Sequence, residues 1–208
     1  MRMIACTTAL LLLALLPARA LDSQALVTAL RQGGHVVIFR HGATDDSQKD
    51  VYPMDFGDMK GQRQLSPKGR AMAAEVGRAI GRLGIPIGVV FTSKLNRAVE
   101  TGQLLSGKDV EAVAALTDSG AGVTSAMANP SGANELAGLA VRQLVNTPPK
   151  AGTNTILVTH KTNFADAFGK DAGDVQEGEA FVFKPDAAAE PKLMARIKPA
   201  DWLAAAAN

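Results

Sequence analysis

Residues 35–42 read His-Val-Val-Ile-Phe-Arg-His-Gly. His35 to Phe39 is a short apolar run rich in β-branched residues, the composition of a parallel strand with both faces covered. It stops at Arg40-His41-Gly42, so two cationic or titratable side chains and a glycine stand where a strand should end. Two other runs have the same look, Ile87–Phe91 (IGVVF) and Thr155–Val158 (TILV). Helical stretches separate them. Ser66-Pro67 opens one, with Ser66 as cap and Pro67 at the first helical position, running to about Leu83. Thr92-Ser93 is placed to cap a second that runs through Leu105. Asn134–Val145 forms a third, stopped by Pro148-Pro149. Leu21–Arg31 predicts a short helix, with Asp22 or Ser23 as cap and Gly33-Gly34 as stop. Val110–Leu116 predicts a short strand or extended segment, and Ala180–Phe183 with Leu193–Ile197 a closing antiparallel pair. The alternation predicts an α/β fold, a three-layer α/β/α sandwich on a mostly parallel sheet, as a single domain over 21–208.

The first twenty residues follow a different logic. Arg2 supplies a basic start, Ile4–Pro17 an apolar stretch, and Ala18-Arg19-Ala20 small residues at the spacing of a signal-peptidase site. The expectation is an exported chain, periplasmic or secreted, cleaved after Ala20. A retained anchor or a buried N-terminal helix is the alternative, but the run falls short of the ~20 residues that span a bilayer comfortably.

Removing residues 1–20 from 208 leaves 188 and takes away Arg2 and Arg19, so Lys plus Arg falls from 22 to 20, against 20 Asp plus Glu. Net charge then lies near zero, which argues against a nucleic-acid or polyanion binder by bulk charge. The single Cys leaves with the leader, so no disulfide staples the fold and a core must stabilise it. With 47% hydrophobic residues, one sizeable core is within reach.

In sheets of this kind, ligands bind beyond the carboxyl ends of the strands. Arg40-His41, Ser93–Arg97 and His160 each follow a predicted strand, so three strand ends converge on one crevice. That crevice gathers two imidazoles and two guanidiniums, and these segments bring no carboxylate. Such a pocket suits a phosphoryl group carrying ~1.5–2 negative charges, because the guanidinium fork pairs with two oxygens at once. Taken singly, Arg40 or Arg97 reads as a surface ion-pair partner and His41 or His160 as a structural imidazole; the joint pattern favours chemistry. His35 fits no such pattern and is given no role. Between Gly42 and Leu65 the chain is polar and aperiodic, and a loop of that length in a compact domain is usually functional or mobile.

Four blocks resemble the histidine phosphatase superfamily, which includes the cofactor-dependent phosphoglycerate mutases. They are Arg40-His41-Gly42-Ala43-Thr44, Leu65-Ser66-Pro67-Lys68-Gly69-Arg70, Thr92 to Thr101 (TSKLNRAVET) and Val158-Thr159-His160. Together they cover about residues 35–165. The resemblance implies a phosphoglycerate mutase-like fold in which His41 is the nucleophile and Arg40, Arg97 and His160 bind the transferring group. Chemistry agrees: a neutral imidazole is a competent nucleophile near pH 7, and placed cations stabilise a transition state whose charge spreads over phosphoryl oxygens.

The general acid is less well marked. In the mutase-like branch an acid follows leucine as L-x-E, and Leu116-Thr117-Asp118 stands at the comparable place, which implies Asp118. In the acid-phosphatase-like branch the donor follows the second His, where this chain has Lys161. Asp166, Glu177 and Glu179 are further candidates without a motif. Thr44, Asn163, Lys161 and Arg63 are candidate substrate contacts; the first three read equally as loop structure, turn capping or a solvated side chain, and Arg63 reads more readily as loop structure. No zinc- or magnesium-ligand spacing occurs, and no cofactor is expected. The expected partner is a small phosphorylated substrate, with no nucleic acid and no stable membrane association after leader removal. The function expected is a metal-independent phosphomonoesterase; the alternative is a phosphate- or sugar-phosphate-binding protein with little or no turnover. A mutase or a phosphohistidine-protein phosphatase would use the same pocket, and the leader argues against both.

Overall fold

The computed structural model describes residues 23–117 and 133–207. Residues 1–20, where a leader is expected, and Asp118 therefore lie outside the described residues. The first helix, α1 (Ser23–Gln32), ends where Gly33 takes φ 78°, a left-handed conformation that side chains resist. Strand β1 (Val36–Arg40) follows, one residue later at each end than the sequence suggested. Helix α2 (Pro67–Arg82) is capped by Ser66, whose side chain accepts from the Gly69 amide. After it come β2 (Ile87–Thr92), α3 (Asn96–Ser106), the two-residue β3 (Glu111–Ala112) and α4 (Ala133–Val145). The chain ends with β4 (Asn154–Thr159), α5 (Lys161–Phe168), β5 (Ala180–Lys184), β6 (Lys192–Ile197) and α6 (Pro199–Ala205).

The strands form one sheet in the order β3-β2-β4-β1-β5-β6. β3, β2, β4 and β1 run parallel to one another, whereas β5 runs antiparallel to both β1 and β6. The sheet is thus mostly parallel with an antiparallel arm, as the alternation and the closing hairpin predicted. Side chains of period two divide the core. Val37 and Phe39 join α1, α2, α3 and α6 on one face, through residues such as Leu30, Val76, Ala98 and Trp202. Val36 and Ile38 join α4 and α5 on the other, with Val141, Val145 and Phe164. These four β1 residues are at most 2% exposed, and full burial of each such side chain stabilises by about 1.5–3 kcal/mol.

Ile87–Phe91 departs from expectation. Val89 is 44% exposed, because β3 pairs only with Phe91 and Thr92 and leaves the first half of β2 as a sheet edge. Thr92-Ser93 does not cap α3 either: that helix starts at Asn96, with Leu95 at the cap position and no side-chain cap bond. Helices α5 and α6 are too short for their periodicity to have marked them in the sequence.

Two features bring the loop between β1 and α2 onto the strand ends. A Cβ at position 69 would run into the Ala43 carbonyl, so glycine there lets the first turn of α2 lie against the start of the loop. The loop itself carries a single 3-10 turn (Met59–Gly61) and a bridge from Thr44 to Leu65. Gln62 is 1% exposed; its amide donates to the Phe56 carbonyl while its oxygen accepts from the Asn96 amide at 2.9 Å. The loop is therefore latched to the N-terminus of α3 by side-chain bonds in place of a repeating backbone ladder.

Candidate active site

Three strand ends, those of β1, β2 and β4, meet as the sequence implied. Backbone bonds fix them together: the His41 amide donates to the Thr159 carbonyl at 3.0 Å, and the Ser93 amide to Val158 at 2.9 Å. From the antiparallel arm, the Gly178 amide reaches the carbonyls of Arg40 and His41 at 3.1 and 3.2 Å. Thr101 on α3 accepts from the Gly42 amide at 3.1 Å and donates to the Arg97 carbonyl at 2.6 Å.

His41 is 3% exposed and its Nδ1 lies 2.7 Å from the Gly42 carbonyl. A carbonyl only accepts, so Nδ1 carries the proton and Nε2 the lone pair. Burial first, then coupling to His160 and the charge of Arg97, drive its pKa well below the usual 6.5; the Gly42 bond opposes them and Arg40 adds a smaller push downward. The imidazole is neutral at physiological pH. The His160 ring stands 5.0 Å away, tilted by 58°. Its Nε2 is 2.7 Å from Ser93 Oγ, which also accepts from the Leu95 amide at 3.1 Å. His160 Nδ1 is buried with no protein partner. Burial first, then Arg97, Arg63 and Arg40, hold the His160 pKa well below 6.5.

The guanidiniums share one arrangement. Arg97, 2% exposed, gives its Nη1 to Asp50 Oδ1 at 2.9 Å and, more weakly, to the Arg63 carbonyl at 3.4 Å. Arg40 gives Nη1 to the Val175 carbonyl at 2.9 Å and Nη2 to Glu177 at 3.3 Å. Each has one end held, and the Nε of Arg40, Arg63 and Arg97 is buried without a protein partner. Burial lowers the Arg40 pKa, opposed by Glu177 and reinforced by Arg63. Buried donors without acceptors are costly unless something accepts from them. The Nε–H groups of three arginines are in this condition, and such donors suit the oxygens of an anion.

The structure thus gathers Arg40, His41, Arg97 and His160, and adds Arg63, whose charge acts on both His160 and Arg40. Thr44 is buried in its bridge to Leu65. Asn163 is buried in α5, donating to the Thr117 carbonyl at 3.4 Å with its oxygen unpartnered. Lys161 opens α5 with an exposed side chain. Among the acid candidates, Glu179 is 1% exposed, ion-paired to Arg196 at 2.9 Å and bonded to the Gln176 amide, a structural carboxylate. Glu177 is engaged with Arg40, and Asp166 belongs to the body of α5. Among the described residues no cluster of His, Cys, Asp and Glu could hold a metal, and no helix is long and apolar enough to cross a membrane.

Sequence reasoning missed Asp50 and Ser93. Ser93 carried the signal of a helix cap, and its hydroxyl holds an imidazole instead. Asp50 carried no signal, because nothing in an aperiodic loop says which of its acids turns inward.

A family model, the histidine phosphatase superfamily (branch 1), matches residues 36–154, more than half of the chain. No curated protein matches it at the level of sequence. Similar solved structures include the protein histidine phosphatase SixA with tungstate, at 16% identity, covering 80% of this chain and 98% of that one, TM-score 0.55. Phosphoserine phosphatase from Entamoeba histolytica with 3-phosphoglyceric acid is 16% identical, covering 81% and 99%, TM-score 0.54. Mycobacterial glucosyl-3-phosphoglycerate phosphatase with VO3 is 19% identical, covering 77% and 97%, TM-score 0.52. At such identities the likeness is one of fold. The matched segment holds Arg40, His41 and Arg97, the fold completes it with His160 just beyond, and the chain belongs to the histidine phosphatase superfamily.

Proposed function

We propose that the protein is an exported, metal-independent phosphomonoesterase working through a phosphohistidine on His41. One observation carries the reading: His41 Nδ1 is tied to the Gly42 carbonyl, so a neutral imidazole keeps its Nε2 lone pair. That lone pair attacks phosphorus as the ester P–O bond breaks, and the leaving oxygen takes a proton. Water then attacks the phosphohistidine, the P–N bond breaks, phosphate leaves, and His41 is restored. Arg40, Arg97 and His160 hold the transferring oxygens, and Arg63 adds charge at the same place. Solved relatives hold tungstate, VO3 and 3-phosphoglyceric acid, all anions of the class this pocket suits. The substrate is a small phosphorylated metabolite.

The chain recovered from outside the cytoplasm, beginning at Leu21 by intact mass, is the form to assay. It should hydrolyse a chromogenic aryl phosphate equally with and without chelator, and a rapid quench should yield an acid-labile phosphoryl group on His41. Because the His41 pKa is lowered, the unprotonated nucleophile persists on acidification, and the acid limb of kcat/KM should fall well below pH 6.5. Chelator-sensitive turnover, or labelling elsewhere, would overturn the reading.

Asp118 is the proposed proton donor. It follows Thr117, whose hydroxyl accepts from the Lys94 amide and whose carbonyl accepts from Asn163, so the segment leading to it is anchored beside α3 and α5. Asp118→Ala should slow alkyl phosphates at least ~30-fold more than aryl phosphates, since only alkoxides need a proton to depart. Equal slowing of both would exclude it.

A further inference from the structure

The loop between β1 and α2 has no regular structure, yet it delivers a carboxylate to the most deeply buried arginine of the site. Asp50 Oδ1 accepts from Arg97 Nη1 and from the Arg63 amide, both at 2.9 Å. Its side chain is 12% exposed and that of Arg97 2%. The Arg63 carbonyl touches the same Nη1 at 3.4 Å. These contacts use one nitrogen of the fork, while Nε remains buried with no protein partner. A guanidinium is planar, so fixing Nη1 fixes the direction of Nε and Nη2.

The loop is held for this task at more than one point. The Val51 amide donates to Gly61 at 2.8 Å, and Gln62 accepts from the amide of Asn96, the residue beside Arg97. Asp50 is therefore carried on a brace whose far end is fastened next to its target. Arg40 is held in a similar way by Glu177, but that carboxylate is 3.3 Å away and 38% exposed, and the Val175 carbonyl holds Arg40 without it.

We propose that Asp50 is a positioning residue: it aims the Nε edge of Arg97 at the equatorial oxygens of the phosphoryl group in flight, acting through the arginine without touching substrate. The inference rests on the phosphatase reading for the identity of the anion. It requires acceptance of the Nη1 and Arg63 hydrogen bonds more than it requires negative charge. A merely charge-balancing Asp50 would treat every neutral replacement alike, and removing it would tighten all anions together.

The test compares Asp50→Ala and Asp50→Asn in the full mature chain, using aryl phosphate kinetics and the affinities of inorganic phosphate and vanadate. Vanadate takes the five-coordinate shape of the transition state and phosphate does not. In Asp50→Ala, kcat should fall about 30-fold or more, and the ratio of vanadate to phosphate affinity should fall about tenfold. Asp50→Asn, which keeps an oxygen in place, should restore both to within about threefold. If Asn is as damaging as Ala, or if the affinity ratio is unchanged in both, the positioning role is wrong. A wild-type chain that binds both anions without turnover would remove the phosphatase reading while leaving the affinity ratios to decide the role of Asp50. A wild-type chain that binds neither would remove both.

Discussion

His41→Ala is expected to lower kcat against an aryl phosphate by at least ~10⁴-fold, the scale seen when a covalent nucleophile is deleted. The remaining donors could still bind phosphate, so affinity for the anion should change far less than turnover. The loss should not come from unfolding. His41 contributes one side-chain bond, to Gly42, while its backbone keeps the bonds to Thr159 and Gly178 that hold the strand end. Thermal unfolding should shift by only a few degrees, on the order of what ~1 kcal/mol produces in a domain of this size. Residual activity above about 1% in the purified variant would mean that another group attacks phosphorus.

Arg97→Lys carries the second large effect. Lysine keeps the charge and loses the fork, so it cannot bond Asp50 and present a second donor edge at once. Removing one oriented donor from a developing oxyanion costs about 10²–10³ in kcat, and that loss is expected here despite the conserved charge. The ammonium is also expected to collapse onto Asp50, the carboxylate paired with position 97, which adds to the loss of phosphate affinity. Full kinetics on the variant decide the matter: a kcat within tenfold of wild type would show that charge alone suffices and that planarity at position 97 is dispensable.

Much of this site could be read from the sequence because of where its members stand. Arg40 ends β1, and His41 and His160 follow β1 and β4, whose apolar runs are unmistakable since both faces are covered. Arg97 came with the block Thr92 to Thr101, although the start of α3 was misjudged by about three residues. There the misjudgement had a physical source: a Thr-Ser pair before a helix satisfies amide donors in most proteins, and here Ser93 serves an imidazole and the Leu95 amide. Arg63 was legible only as a possible substrate contact in a long loop, and Asp50 could not be ranked above its neighbours. Their roles depend on how the loop folds back, which is set by Gln62 and by the close approach at Gly69, and neither leaves a periodic trace. Glu179 shows the opposite failure. A carboxylate near the second histidine looked available for proton transfer, and only the three-dimensional position of Arg196 reveals that it is committed elsewhere.

The division of β1 between two cores has one more result. Val36 and Ile38 belong to one side of the sheet and Val37 and Phe39 to the other, with the reactive pair immediately downstream. Adding or deleting a single residue in that strand would exchange every apolar side chain between the cores and turn the arginine and histidine away from their partners. Exchanging valine for isoleucine along it should cost only about 0.5–1.5 kcal/mol, whereas a change in its number of residues should not be tolerated: the count, more than the composition, keeps the strand-end residues and the packing in phase.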